Sequence, residues 1–320
     1  MSSQSCPQCA EPVGPRDRFC EQCGAQIADH RVTDAPRDRV EIDVGVAAGV
    51  SDRGRRHHRN EDALALRDLG PALGTDLDGV SGSAHCGAAV AVVCDGVSSA
   101  DRPDEASETA AETAAETLVA ALRADSGPVT ATREAIYAAG HAVAGLAGCA
   151  ETTRDNPACT LVSAVVAGGA VTVGWVGDSR AYWIPRVRTE SAPPTKLTED
   201  DSWLAHVLAA GTLTPAEAAA DRRAHAITAW LGEDATSLDP HVVTFTPEGS
   251  GVVVVCTDGL WNYLDNVDAL AGALPAQALE APLDAARQLV EIALNCGGRD
   301  NVTVAVLPFV TPSRLPGELS

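Results

Sequence analysis

Five acidic motifs stand at the ends of apolar, strand-like runs, and this pattern constrains the fold more than any other feature of the chain. The motifs are Asn60-Glu61-Asp62, Cys94-Asp95-Gly96, Gly177-Asp178-Ser179, Thr257-Asp258-Gly259 and Arg299-Asp300-Asn301. One Asp-Gly after a strand usually marks a turn. Five such motifs on separate apolar strands indicate more, because strands of one pair of sheets can bring their ends together. Clustered carboxylates repel one another unless cations neutralise them, and all-oxygen ligands favour Mg²⁺ or Mn²⁺ over zinc.

The periodicity of apolar residues predicts the remaining elements. Strands are expected over 40–46, 63–66, 88–94, 160–167, 170–176, 181–184, 241–245, 252–257 and 302–307. Helices are expected over 104–124, 130–147, 259–273 and 282–295, with helical pieces in the polar stretch before residue 230. Runs of strands separated by helix pairs are typical of antiparallel sheets with helices layered outside. The least charged stretch, 159–177, is divided by Gly168-Gly169, which favours a hairpin over a membrane span.

The first 23 residues contain two Cys-x-x-Cys pairs, formed by Cys6, Cys9, Cys20 and Cys23. Together the pairs can complete a tetrahedral zinc shell, which leaves no open position for catalysis. The metal would supply the folding free energy of a segment too short to bury a core. The alternative, a redox pair or chance, is disfavoured by the doubled spacing. The segment resembles a bacterial zinc ribbon, and structural Zn²⁺ is the expected cofactor.

The charge balance excludes several partners. The chain has 23 Lys and Arg against 44 Asp and Glu, a net charge of −21, which would repel nucleic acid and anionic membranes. The N-terminus lacks the basic and apolar regions of a secretion signal, so we expect a soluble, cytoplasmic protein in a reducing compartment. The predicted organisation is a zinc ribbon (1–28), a linker (29–39), a large domain (40–310) and a flexible tail (311–320).

In their order along the chain, the acidic motifs resemble those of bacterial metal-dependent type 2C protein serine/threonine phosphatases, over about residues 40–309. The resemblance implies an α+β fold, a four-layer α-β-β-α sandwich of two antiparallel sheets flanked by helices. It also implies two Mn²⁺ or Mg²⁺ ions in a cleft at one edge of the sandwich, and a weaker third ion as in bacterial members. The implied metal ligands are Asp62, Asp95, Gly96, Asp178, Asp258 and Asp300.

The resemblance assigns each ligand a role. Asp95 would bridge two metals, and the Gly96 carbonyl would bind the first of them. Asp258 and Asp300 would bind the second metal. Asp62, with Glu61, would hold metal-bound waters. Asp178, with Asp258, would hold the third ion, and the segments 197–202 and 211–218 resemble the bacterial flap beside the active site. A water between two divalent cations has a lowered pKa and can supply hydroxide in line with a phosphoryl group.

The chain departs from the family at three places. The Arg that usually grips the substrate phosphate is replaced by His57. Arg56 could take this role, protonated His57 could bind the phosphate, or the segment could be only a solvated basic turn. The family's Asp-Gly-x-Gly-Gly continues here as Val97-Ser98-Ser99, and because Val97 cannot donate a proton, the leaving oxygen would need a metal-bound water. Asp201 stands where a His often follows the flap entry.

The expected function is hydrolysis of phosphoserine and phosphothreonine in phosphoproteins by a monomer, in opposition to bacterial serine/threonine kinases. Asp95, Asp258 and Asp300, with Arg56 or His57, are the expected catalytic residues. One alternative is a pseudophosphatase that binds phosphoproteins or a kinase and is recruited by its ribbon. Another is a ribbon that binds nucleic acid, which the acidic balance disfavours.

Overall fold

The computed structural model describes residues 4–5, 12–13, 38–70, 87–147, 156–224, 226–235 and 237–311. The chain divides into two compact units, Met1–Arg37 and Asp38–Ser320. In the first unit, strand β1 (Gln4–Ser5) pairs antiparallel with β2 (Pro12–Val13). The four cysteines of the predicted zinc ribbon lie outside the described residues, as do nearly all of the predicted linker and tail. The predicted domain limits therefore stay a prediction.

The second unit contains the remaining strands and all of the helices that the structure describes. The strands are β3 (Arg39–Asp43), β4 (Ala48–Asp52), β5 (Asp62–Asp68), β6 (Ala89–Asp95), β7 (Ala158–Cys159), β8 (Leu161–Ala167), β9 (Ala170–Val176), β10 (Arg180–Pro185), β11 (Thr195–Lys196), β12 (Leu231–Gly232), β13 (His241–Phe245), β14 (Gly251–Cys256) and β15 (Val302–Phe309). The helices are α1 (Pro103–Arg123), α2 (Pro128–Ala147), α3 (Trp203–Ala209), α4 (Pro215–Ala220), α5 (Asp258–Trp261), α6 (Val267–Ala273) and α7 (Pro282–Asn295).

Two antiparallel sheets form the centre of this unit. One has the strand order β11-β10-β14-β15-β4-β3, and the other has the order β13-β9-β8-β6-β5. Neighbouring strands within both sheets run antiparallel. The prediction of two antiparallel sheets with helices is confirmed. The hairpin at Gly168-Gly169 is also present, with both glycines at positive φ, as a tight two-residue turn requires.

The strands are apolar throughout because both of their faces are covered. In β6, Ala91 and Val93 belong to the core between the two sheets, whereas Val92 and Cys94 pack with α1 and α2. In β14 the same alternation divides the strand between the inter-sheet core and the core under α5, α6 and α7. Successive side chains on a strand point to opposite faces, so a strand between two layers needs apolar residues at every position. The described elements therefore stack as helix, sheet, sheet and helix layers.

Three local predictions were wrong. The strand predicted over 40–46 ends at Asp43, because the chain turns at Gly45 (φ +81°) and returns as β4. This returning strand was missed because it contains Gly49, where a side chain would lie 2.7 Å from Leu64 and 2.8 Å from the Val304 carbonyl oxygen. The helix predicted over 259–273 is two helices, because the Asn266 side chain accepts a hydrogen bond from Ala269 N and starts α6 anew.

In the part of the chain that the structure describes, every helix falls short of the length and apolar character that a membrane span requires. The predicted cytoplasmic location stays a prediction.

Candidate active site

The two sheets bring their acidic residues together at one edge. Asp62 and Asp95 occupy directly opposite positions in the pairing of β5 with β6. Asp62 belongs to the five-stranded sheet, but its Oδ2 accepts hydrogen bonds from Thr257 Oγ1 (2.9 Å), directly after β14, and from Thr303 Oγ1 (2.7 Å), in β15 of the six-stranded sheet. The carboxylate of Asp62 therefore connects the two sheets beneath the site.

A cavity of about 480 Å³ opens at this edge. Four of the predicted carboxylates line it, Asp95 at the end of β6, Asp178 after β9, Asp258 at the start of α5 and Asp300 before β15. Gly96 lines it as well. Among the described residues that line the cavity there is no Lys, Arg or His.

Gly96 cannot be replaced by a larger residue. A Cβ at this position would lie 2.6 Å from the Pro103 carbonyl oxygen and 2.7 Å from the Glu61 carbonyl oxygen. Gly96 N donates a hydrogen bond to Glu61 O (3.1 Å), which draws the segment after β6 against the segment before β5. The Asp-Gly pair is thus explained by the close approach of two backbones at the site.

Burial and like charge raise the pKa values of four carboxylates at the site, those of Asp62, Asp95, Asp178 and Asp258. Desolvation, followed by repulsion from Asp62 and Asp258, raises the pKa of Asp95 well above its ordinary value. Desolvation and repulsion from Asp300 do the same to the pKa of Asp258. The pKa of Asp62 rises to about 7 through desolvation, despite the lowering effect of its two threonine donors. The pKa of Asp178 rises to about 6 through desolvation and the nearby charge of Asp200.

The donor set fits hard divalent cations with a partial shell of protein ligands. Asp62 Oδ1 is buried and receives no hydrogen bond from a donor group. No three His, Cys, Asp or Glu side chains among the described residues lie close enough together to hold one ion. The ligand set predicted for the second metal stays a prediction. Mg²⁺ is commonly bound through one or two carboxylates plus waters and substrate oxygens, and the cavity offers this arrangement.

The basic turn before β5 approaches the site through His57. Its Nε2 lies 3.1 Å from Asp300 Oδ1, and its Nδ1 lies 3.9 Å from Glu61 Oε2. Arg56 is exposed and makes no hydrogen bond or ion pair with any described residue. Neither His57 nor Arg56 lines the cavity. The structure therefore places His57 against a predicted metal ligand and Arg56 on the surface beside it.

Glu61 is almost fully buried and holds the loop that follows Gly96. Ser98 Oγ donates to Glu61 Oε2 (2.6 Å), and Arg59 Nε donates to Glu61 Oε1 (3.1 Å). Ser98 and Ser99, which replace the glycines of the family motif, both line the cavity. The serines thus add hydroxyl groups to the cavity wall, and the Glu61 carboxylate anchors one of them.

A second network supports Asp178. Its backbone oxygen accepts a hydrogen bond from Trp261 Nε1 (3.0 Å), and the guanidinium of Arg180 stacks 3.7 Å from the centre of the Trp261 ring. Arg180 also forms a paired contact with Asp200, with Nε–Oδ1 at 3.0 Å and Nη2–Oδ2 at 2.6 Å. The cation of Arg180 therefore links the entry of the flap to the position of Asp178.

Asp201 anchors the flap on both sides. Its Oδ2 accepts a hydrogen bond from Gly177 N (2.9 Å), and its Oδ1 lies 2.9 Å from His241 Nε2. The His241 ring stacks on Trp175 at 4.9 Å between ring centres. Two short helices of the flap, α3 and α4, follow this anchor. At its far end Trp230 Nε1 donates to Asp234 Oδ1 (3.0 Å), and both residues line the cavity.

Several residues of the site were not singled out from the sequence. Thr257 and Thr303 hold Asp62, and the amide of Asn301 holds the basic turn through Glu61 N (2.7 Å) and two backbone oxygens. These three residues are buried polar side chains next to the predicted ligands. The only available signal was their position, since Thr257 and Asn301 belong to the acidic motifs and Thr303 follows one of them by two residues. Trp230 and Asp234 carried no signal, since they reach the cavity only through the fold of the flap.

Together, the two-sheet sandwich and its carboxylate-lined cleft are those of the protein phosphatase 2C fold. The chain belongs to the protein phosphatase 2C family, whose sequence profile matches residues 78–292. The serine/threonine protein phosphatase PstP of Mycobacterium tuberculosis is 26% identical over 266 residues, which cover 82% of this chain and 45% of PstP. This chain therefore spans less than half the length of that relative.

Solved structures share the fold over most of the chain. The serine/threonine phosphatase Stp1 from Staphylococcus aureus superposes with a TM-score of 0.63 at 22% identity, over 83% of this chain and 95% of Stp1. MsPP from Mycobacterium smegmatis, a Ser-Thr phosphatase solved with cacodylate, gives a TM-score of 0.59 at 27% identity, over 84% and 100% of the two chains. The catalytic domain of PstP with two manganese ions gives 0.56 at 24% identity, over 85% and 100%.

Proposed function

We propose that this protein is a metal-dependent phosphatase that hydrolyses phosphoserine and phosphothreonine in proteins. The observation that carries the proposal is the cavity lined by Asp95, Asp178, Asp258 and Asp300, which no cationic side chain of its wall balances. Such a cavity is suited to divalent cations and a phosphoryl group together. Membership of the protein phosphatase 2C family supports the same activity.

The ligands of the metal would be the carboxylates of the cavity and the Gly96 carbonyl. Asp95 would bridge two Mn²⁺ or Mg²⁺ ions, and Asp258 and Asp300 would complete the site of the second. Bound ions of this kind activate a water and offset the charge on phosphoryl oxygens. PstP, solved with two manganese ions, supports Mn²⁺ as the choice of metal. Asp178 would serve a third, weaker site.

The chain's own residues orient these groups. Thr257 and Thr303 hold the carboxylate of Asp62, which is paired opposite Asp95, by donating to its Oδ2. Buried Glu61 fixes Ser98 on the wall where a phosphoryl oxygen would enter. Val97 also lines the cavity and has no proton to give, so the leaving oxygen would take its proton from water.

Two residues are candidates for binding the scissile phosphate. Arg56 has a free guanidinium on the surface, and His57 lies nearer the cavity but contacts Asp300. Arg56→Gln and His57→Gln are to be compared on p-nitrophenyl phosphate. Substitution of the residue that binds the phosphate is expected to raise KM.

The decisive experiment measures hydrolysis of p-nitrophenyl phosphate and a phosphothreonine peptide with Mn²⁺. Asp95→Asn is expected to abolish both activities, since the bridging carboxylate loses its charge. The matched control is Asp239→Asn, an exposed aspartate outside the site, which should leave both unchanged. Turnover that survives Asp95→Asn or persists in excess chelator would refute the proposal.

A pseudophosphatase is the alternative candidate, and the family comparison supports it less than the active enzyme. It is suggested by His57 at the position of the usual phosphate-binding Arg and by Val97-Ser98-Ser99 in place of the glycine-rich motif. In this case the protein would bind phosphoproteins or a kinase without turnover. Calorimetric titration with Mn²⁺ beside the activity assay separates the two, because tight binding without hydrolysis supports only the pseudophosphatase.

The remaining features of the proposal concern the whole protein. Cys6, Cys9, Cys20 and Cys23 would bind one structural zinc, which elemental analysis of the purified protein would detect and which substitution of the four by Ser would remove. The protein would act in the cytoplasm as a monomer on substrates of bacterial serine/threonine kinases. Sedimentation analysis tests whether the protein is a monomer. Hydrolysis of a protein substrate phosphorylated by a serine/threonine kinase tests whether it opposes such kinases.

A further inference from the structure

The cavity has one rim that is basic, although the protein is strongly acidic. Four of the 23 Lys and Arg residues of the chain lie within the seven positions 53–59, in a protein with a net charge of −21. Two neighbouring histidines, His57 and His58, lie in the same turn. Arg299, in the segment before β15, adds a further cation beside the turn.

Backbone contacts place the two segments side by side. Arg55 N donates a hydrogen bond to Gly298 O (2.7 Å), and its Nε donates to Leu294 O (2.9 Å). His57 Nε2 lies 3.1 Å from Asp300 Oδ1, and Asp300 lines the cavity. Arg56 precedes His57 in the chain, and Arg299 precedes Asp300. The two arginines therefore flank the contact that forms this rim.

Acidic residues neutralise only some of the basic side chains in these two segments. Arg53 pairs with Asp38 at 2.9 Å, and Arg59 pairs with Glu61 and Asp104 at 3.1 Å each. The side chains of Arg56 and Arg299, in contrast, are exposed and make no hydrogen bond or ion pair with any residue that the structure describes. We call Arg56 and Arg299 the basic rim.

Another part of the cavity wall has the reverse character. It includes Asp234, which accepts a hydrogen bond from Trp230. An anionic group on a bound peptide would be repelled at this wall and attracted at the basic rim. An anionic group on one side of the scissile residue of a bound peptide would therefore be favoured over the same group on the other side.

We propose that the basic rim binds a second phosphate on the same peptide, so that the protein prefers multiply phosphorylated segments with the second phosphate on one side of the scissile residue. A guanidinium presents two parallel donors that match a phosphate, and a phosphate carries nearly twice the charge of a carboxylate side chain. The inference rests on the proposed function, because it takes the scissile phosphate to enter the cavity. Arg299 carries the test, because Arg56 is also a candidate for binding the scissile phosphate.

The test uses peptides with one phosphothreonine and a second phosphate three residues before it, three residues after it, or absent. We expect kcat/KM with Mn²⁺ to be higher for one of the two doubly phosphorylated peptides only. Arg299→Gln is expected to reduce this preference about fivefold, the upper range for one exposed ion pair, and Arg299→Glu to reduce it further. Raising the salt concentration to about 1 M should remove the preference, since the Debye length falls to about 3 Å.

Two controls separate this inference from the proposed function. Hydrolysis of p-nitrophenyl phosphate should be the same for Arg299→Gln as for the unsubstituted protein, since this substrate has no second phosphate. Arg123→Gln, an exposed arginine at the end of α1, should leave the peptide preference unchanged. If the unsubstituted protein hydrolyses nothing, fluorescence anisotropy of the labelled peptides still measures the preference as binding.

Three outcomes would overturn the inference while the proposed function stood. The first is equal kcat/KM for all three peptides, and the second is a preference that Arg299→Gln leaves intact. The third is competition by an oligothymidylate of equal charge at the same concentration as the doubly phosphorylated peptide, which would assign the rim to polyanions in general.

Discussion

The substitution Asp62→Asn is expected to stabilise the metal-free protein, and to do so more at high pH than at low pH. Asp62 is buried, and its pKa is raised to about 7 in the folded protein from 3.8. A raised pKa means that the folded state binds the proton more tightly than the unfolded state does. The resulting stability is fully present below pH 3.8 and is lost as the pH rises through 7.

The magnitude follows from the shift of the pKa. At pH 8 the raised pKa costs the folded state about 4 kcal/mol, because Asp62 is ionised there. At pH 5 it costs about 2 kcal/mol, because Asp62 is then protonated in the folded state and ionised in the unfolded state, at about 1.36 kcal/mol for each pKa unit. The amide introduced by Asp62→Asn carries no charge and can still accept the hydrogen bonds of Thr257 and Thr303. The variant should therefore gain about 2 to 3 kcal/mol more at pH 8 than at pH 5, relative to the unsubstituted protein. This double difference cancels any packing cost that does not depend on pH.

The measurement is urea unfolding at pH 5 and pH 8 in the presence of chelator. Asp239→Asn, which removes an exposed carboxylate, is the control and should give a double difference near zero. Added Mn²⁺ should stabilise the unsubstituted protein more than Asp62→Asn, because the cation offsets the repulsion around this carboxylate. A variant that is less stable than the unsubstituted protein by the same amount at both pH values would contradict the raised pKa of Asp62.

Three further substitutions give separate expectations. Gly259→Ala should lower the free energy of unfolding by about 2 kcal/mol or more, because the added Cβ would lie 1.9 Å from the Asn301 carbonyl oxygen. Gly272→Ala should be neutral or stabilising, because the added Cβ would meet open space. Trp261→Phe removes the donor to the backbone of Asp178 and should weaken Mn²⁺ binding about tenfold by calorimetry. Thr303→Val removes a donor to the buried carboxylate of Asp62 and should make metal-free stability fall more steeply with rising pH.

Each expectation has a result that contradicts it. Equal urea midpoints for the two glycine variants would show that the chain near Asn301 adjusts freely. Unchanged Mn²⁺ affinity in Trp261→Phe would show that the indole does not position Asp178. An identical pH dependence of unfolding in Thr303→Val would show that the Thr303 hydroxyl does not affect the pKa of Asp62.

The large elements were predictable because their signals are local. Both faces of β6 and β14 are buried, so continuous apolar runs mark them. The apolar residues of α1 (21 residues) and α2 (20 residues) recur with a helical period. Local signals failed where small residues make close contacts, as in β4 with Gly49, or where a capping side chain divides a helix, as at Asn266. Four acidic residues of the cavity, Asp95, Asp178, Asp258 and Asp300, were predictable as a set because each one follows or precedes such a strand, whereas Asp234 was not.

The partners of these residues were not predictable. Asp62 and Thr303 are 241 positions apart, and their 2.7 Å hydrogen bond exists only because of the register and packing of two sheets. The contact of His57 with Asp300, rather than with the cavity, depends in the same way on how a turn docks onto a distant segment. A carboxylate after a strand is a property of the chain, since periodicity acts over a few residues. The neighbours that hold this carboxylate, raise its pKa or pair with it are decided by the packing of the sheets. Those interactions act through space between residues far apart in the sequence.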